Sequence, residues 1–123
     1  MFLKTQTISA RGRKQKGSRL ERTFAKMIRH KGLDDKASRQ VLSGGSWTAP
    51  TDIHTTLPFA FECKDQEKMS FWAWWEQAKA QETIYKPAVL VHTANHRPII
   101  VSMDAETFLN LLKEVEELKG NHE

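Results

Sequence analysis

Leu57-Pro58-Phe59-Ala60-Phe61-Glu62-Cys63-Lys64 is an apolar run broken by two charges that stand two residues apart. Side chains alternate faces along a strand. Phe59, Phe61 and Cys63 therefore share one face, and Ala60, Glu62 and Lys64 share the other. Such a strand buries two aromatic rings and a thiol on one side and sets a carboxylate beside an ammonium on the other. Asp52, beside a shorter strand-like stretch, supplies a second carboxylate. Two carboxylates suit a hard divalent cation such as Mg2+, which takes one or two of them with water and substrate phosphates. A lysine beside that cation can orient a water or stabilise developing negative charge. A lone Glu-x-Lys more often marks an exposed ion pair on an edge strand, so the surroundings carry the weight.

Upstream, Ser18-x-x-Glu21 has the form of a capping box and predicts a helix from about Leu20. Leu20, Phe24, Met27 and Ile28 fall at helical spacing, and Gly32 is a plausible stop. Residues 39–42 read as a short strand, Ser43-Gly44-Gly45 as a turn, and 46–52 as a loop. Residues 52–55 and 59–64 read as adjacent strands. Downstream, 70–84 is helical by content, with Phe71, Trp74, Trp75 and Ala78 inward and Trp72 off that stripe. The continuous apolar run 88–93 is what a central strand buried on both faces requires. A turn at 94–97, a strand at 98–102 and a helix at 104–118 follow, the helix carrying Phe108, Leu111, Leu112 and Val115 on one side. The order α-β-β-β-α-β-β-α predicts an α/β sheet with helices packed on it.

The 123 residues fit one domain, and 39% hydrophobic content supports a modest core. A single cysteine excludes an internal disulfide, and no Cys/His cluster has zinc spacing. No window approaches the length of a membrane span, and the start lacks a charged-then-apolar leader, so a cytoplasmic setting is expected. The net charge of +4 is unevenly spread. Residues 1–19 hold Lys4, Arg11, Arg13, Lys14, Lys16 and Arg19 and no acid. A basic flexible arm over residues 1–16, ahead of a folded domain at 17–123, meets the electrostatic requirement of a polyphosphate partner. A solvated tail explains the arm equally well until it is read beside the carboxylates.

The ordered set from Lys16 to Phe108 resembles the PD-(D/E)xK nucleases, and among them the archaeal- and phage-type Holliday junction resolvases. It comprises Lys16-Gly17-Ser18-Arg19-Leu20-Glu21-Arg22, Ser43-Gly44-Gly45, Asp52-Ile53, Phe61-Glu62-Cys63-Lys64, a helix with Gln77 and Gln81, and the strand Pro87-Ala88-Val89-Leu90-Val91. Thr51 stands where a proline precedes the aspartate in the motif's name. The resemblance implies a restriction-endonuclease-like mixed sheet flanked by helices. It also implies Mg2+ (with Mn2+ able to substitute), branched DNA as partner, a homodimer making two matched cuts, and a bacterial or phage-infected cell.

On this reading Asp52 and Glu62 bind the metal, helped by the Cys63 carbonyl, and Lys64 positions or activates the water. Glu21 is either the capping partner of Ser18 or a further acid above the metal. Gln77 is favoured over Gln81 as the helix glutamine that faces the site. Ser43 and Arg39 join Arg11, Arg13, Lys14, Lys16 and Arg19 as phosphate contacts. His54, His92 and His96 are expected not to be ligands, and Cys63 is expected in the core. Trp47 and Trp72 could meet a second subunit or stack on DNA. The rival readings are a PD-(D/E)xK nuclease of flaps or duplex in repair or restriction, and a catalytically silent DNA-binding module.

Overall fold

Among the described residues eight elements follow in the order that the hydrophobic pattern predicts. The computed structural model describes residues 10–40 and 52–120, with side chains from residue 16 on. The elements are α1 (Ala10–His30), β1 (Ser38–Arg39), β2 (Ile53–His54), β3 (Ala60–Asp65), α2 (Phe71–Ala80), β4 (Ala88–Thr93), β5 (Ile100–Ser102) and α3 (Ala105–Gly120). The main sheet has the order β3-β4-β5 and is mixed. β3 and β4 run parallel, with Glu62 opposite Leu90 and Lys64 opposite His92, while β5 is antiparallel to β4. A parallel pair needs a crossover, and α2 supplies it. The chain is thus an α/β protein of the restriction-endonuclease-like kind expected. Among the described residues no helix is long and apolar enough to cross a membrane.

The alternation along β3 sorts the core into two layers. Phe61 and Cys63 face α1 and pack with Leu20, Ala25, Ile28, Val89 and Val91. The Phe24 ring meets Phe61 edge-on at 5.1 Å. On the other face, Trp74 and Ala78 of α2 close over Ala88 and Leu90. β4 is buried on both faces from Ala88 to His92, as its unbroken apolar run requires. Leu90 is fully enclosed, so Leu90→Ala would cost ~2–5 kcal/mol.

Several boundaries differ from the sequence expectation. α1 starts at Ala10, about ten residues before Leu20, so Ser18 and Glu21 lie inside it and form no capping box. Gly12 and Gly17 weaken a helix by only ~1 kcal/mol each. The Arg, Lys and Gln between them favour one, and the side chain of Lys16 approaches Asp65 at the end of β3. The basic stretch expected to be irregular is therefore helical from Ala10 onward. Gly32 does stop the helix: its φ is +74°, its N–H donates to the Arg29 carbonyl, and the Leu33 N–H donates to that of Ile28. These two bonds form a Schellman cap. Met27, expected on the inward stripe, is exposed, and Ala25 takes the buried place. α2 ends at Ala80 rather than near residue 84. Thr83 and Lys86 exchange backbone bonds, and the Thr83 hydroxyl accepts from the Lys86 N–H, a local competitor to the helix just ahead of Pro87. α3 forms as expected, yet none of its described residues is buried.

Candidate active site

β2 and β3 bring the two expected carboxylates together through backbone bonds. The Asp52 N–H donates to the Phe61 carbonyl at 3.1 Å, and the Cys63 N–H donates to Asp52 Oδ2 at 2.8 Å. The Asp52 carboxylate is thus held against the middle of β3. Glu62 is buried on the opposite strand face from Cys63, and Lys64 Nζ lies 3.8 Å from Glu62 Oε2. The side-by-side carboxylate and ammonium inferred from alternation are therefore present. β2 pairs with β1, Arg39 opposite Ile53, which sets Arg39 beside Asp52. Arg39 Nε donates to Glu21 Oε1 at 2.8 Å, so α1 delivers a third acid to the same place.

Three carboxylates compete here for two cations. Burial pushes the Glu62 carboxyl up to about 7, the charge of Asp52 adds to that, and Lys64 opposes it. Burial also raises Asp52, against the Cys63 N–H, Lys64 and Arg39. Glu21 is raised by burial and then by Asp52, with Arg39 pulling it down. The Cys63 thiol is raised by burial first and by all three acids after it, so it is no nucleophile. Clustered, partly desolvated oxygen donors of one sign are the environment a hard divalent cation relieves. Asp52 and Glu62 meet the one-or-two-carboxylate requirement of Mg2+. Among the described residues no group of three or more His, Cys, Asp or Glu side chains is placed to hold a metal ion.

Other expected residues lie elsewhere. Gln77 is exposed on α2, and no hydrogen bond or ion pair among the described residues ties it to the carboxylates; Gln81 caps the end of that helix. Arg39, expected as a phosphate contact, is engaged by Glu21. Lys16, expected on a free arm, sits 3.8 Å from Asp65 Oδ1 with both atoms buried and otherwise unpartnered. Arg19 is exposed. Arg11, Arg13 and Lys14 ride on the first turns of α1, their side chains outside the described set, and Ser43 and Trp47 lie outside the described residues. His54 and His96 are exposed, and His92 Nε2 is 2.9 Å from Ser102 Oγ. Trp72 stands 72% exposed on α2.

Sequence reasoning missed Asp34. It accepts from the Thr55 hydroxyl at 2.6 Å, the Thr56 N–H and the Lys36 N–H, which hold its carboxyl down to about 2. These bonds tie the segment before β1 to the segment after β2 and so fix the ribbon that carries Asp52. Its position just after the Gly32 cap was the one available signal. Nothing in the sequence signalled the Glu21–Arg39 pair, whose members are 18 residues apart.

A family model described as "Phage putative PDDEXK endonuclease" matches residues 12–122. No curated protein and no solved structure matches the chain.

Proposed function

The chain belongs to this phage PDDEXK endonuclease family, and from that premise we propose that it is a Mg2+-dependent DNA endonuclease that resolves four-way junctions by paired phosphodiester hydrolysis. The observation that carries the chemistry is the Asp52 carboxylate pinned to the Cys63 amide, next to the Glu62–Lys64 pair. The junction as substrate rests on the resemblance of the ordered motif to resolvases. It is supported by Glu21, which α1 brings within electrostatic reach of both Asp52 and Glu62.

Asp52 and Glu62 would hold the cation, with the Cys63 carbonyl on the strand between Glu62 and Lys64. A divalent cation there supplies Lewis-acid polarisation of the scissile phosphate. Lys64 Nζ orients the attacking water and offsets negative charge gathering on phosphorus oxygens. Glu62, buried beside Lys64, would hold the cation through one carboxylate oxygen and accept a hydrogen bond from that water through the other. Arg39 keeps Glu21 aimed at the same volume. The water releases one proton to bulk solvent as its oxygen bonds to phosphorus, the opposite P–O bond breaks, and the departing oxygen takes a proton from solvent. The positive charge of the stretch from Arg11 to Arg19 would serve phosphates flanking the cut. Two sites in a homodimer would cut two matched strands.

A panel of four-way junction, flap, nicked and plain duplex DNA in Mg2+ tests the reading. Paired symmetric nicks in the junction are expected. Preference for flap or duplex replaces the resolvase with a repair or restriction nuclease. Binding without cleavage of any substrate leaves a DNA-binding module.

A further inference from the structure

α3 carries Phe108, Leu111, Val115 and Leu118 at spacings of three, four and three, with Leu112 alongside. That is the seam of a coiled-coil helix. Phe108, Leu112 and Leu118 are 48%, 42% and 60% exposed, and no described residue of α3 is buried. A helix of this length inside a small domain normally spends such a seam on its own core. Between α3 and the body lies an apolar groove of about 560 Å3, lined by Phe24, Met27, Leu33, Phe59, Val101 and Leu111 among others. Ile100 and Val101 of β5 are also half exposed, and β5 has a strand on one side only among the described residues.

We propose that this face is the interface between two copies of the chain, with the two α3 helices running parallel about a two-fold axis. The charges beside the seam select that partner and direction. Glu114 precedes Val115 and Lys119 follows Leu118. In a parallel pair, residues five apart on opposite sides of the seam meet across it. Glu114 then faces the partner copy's Lys119, and two-fold symmetry makes the contact twice. An antiparallel pair would instead set Glu114 against its own copy. Lys119 can exchange, since its one ion pair among the described residues is an exposed one with Glu116 at 3.6 Å. Sixteen residues of helix span ~24 Å. That seam alone falls short of the ~800 Å2 per partner of a stable dimer, and the groove and β5 extend it.

The sheet order makes the interface compatible with cleavage. β5 is the edge opposite β3, so joining two copies through β5 and α3 leaves Asp52, Glu62 and Lys64 open on each copy. The inference rests on the paired-cut reading above for its purpose, but its test needs neither DNA nor metal.

The test is sedimentation equilibrium of the full chain. The wild type is expected to be a dimer. Val115→Glu should be a monomer with unchanged circular dichroism, because Val115 is 39% exposed in the single copy. Glu114→Lys should weaken the dimer about tenfold, the loss expected when two exposed pairs become repulsive. Combining it with Lys119→Glu should restore wild-type affinity. A monomeric wild type overturns the proposal, as does a Val115→Glu protein that stays dimeric. A charge-swap double variant no tighter than Glu114→Lys alone refutes the parallel arrangement. A dimer that passes these tests yet cuts no DNA would sink the nuclease reading and leave the interface standing.

Discussion

Glu62→Gln in the metal-free protein gives the sharpest check on the site's electrostatics. The folded Glu62 carboxyl is raised from 4.5 to about 7, chiefly by burial. Between those values the unfolded chain has released the proton while the folded one retains it. Stability therefore falls as pH rises through this window. At ~1.4 kcal/mol per pH unit the displacement amounts to about 3 kcal/mol above pH 7. Relaxation of the neighbouring Asp52 charge makes this an upper figure. Gln cannot ionise and keeps an oxygen for Lys64, so in EDTA the variant should melt about 10 °C higher than wild type at pH 8 and with it at pH 4. Adding Mg2+ at pH 8 should raise the wild-type melting temperature and barely move the variant, because the cation relieves a charge that Gln lacks. Thermal melts at several pH values, with and without Mg2+, measure all of this. Equal wild-type and variant curves in EDTA across pH 4–8, or a wild type that gains stability with pH relative to Glu62→Gln, would refute the reasoning.

Other outcomes follow from the same geometry. Cleavage should need Mg2+ or Mn2+ and stop in Ca2+ or EDTA with binding preserved, as a gel assay of binding and nicking shows; full activity in excess chelator defeats the metal mechanism. Asp52→Asn and Lys64→Ala should each abolish cleavage without loss of fold, measured by nicking rate and circular dichroism, and a wild-type rate in Lys64→Ala would remove lysine from the chemistry. Arg39→Ala should slow cleavage about tenfold or more by freeing Glu21, with partial recovery in Arg39→Lys, since one charged hydrogen bond is worth ~1.5–3 kcal/mol. Deleting residues 1–16 should lower the log–log salt slope of DNA binding by ~0.9 per lost phosphate contact. It should also cost some melting temperature, because Lys16 is packed against Asp65.

The period-two alternation around Glu62 was legible because every second residue states its face outright. The five-residue buried stretch of β4 was legible from its unbroken apolar run, and the inward aromatics of α2 from their helical spacing. The α1 start was not, since glycines and a charge run look irregular until a distant partner, Asp65, receives Lys16. The end of α2 was missed because Thr83 offers the backbone a competing turn. Within the site, Asp52, Glu62 and Lys64 could be named from chain order. The bonds that aim them, Cys63 to Asp52 and Arg39 to Glu21, join residues 11 and 18 apart and carry no periodic signature.

The bond from the Cys63 amide to Asp52 does more than aim a side chain. It turns one backbone nitrogen into a reporter of the charge state of the carboxylate it holds. A carboxylate draws an amide proton more strongly than a carboxylic acid does. The Cys63 amide resonance should therefore move downfield as Asp52 ionises and shift again when a cation shares that carboxylate. Its exchange with deuterium should be slow for a residue at a strand edge. Occupancy of the site could then be followed by spectroscopy at a single peak, with no substrate present and without altering any residue of the site.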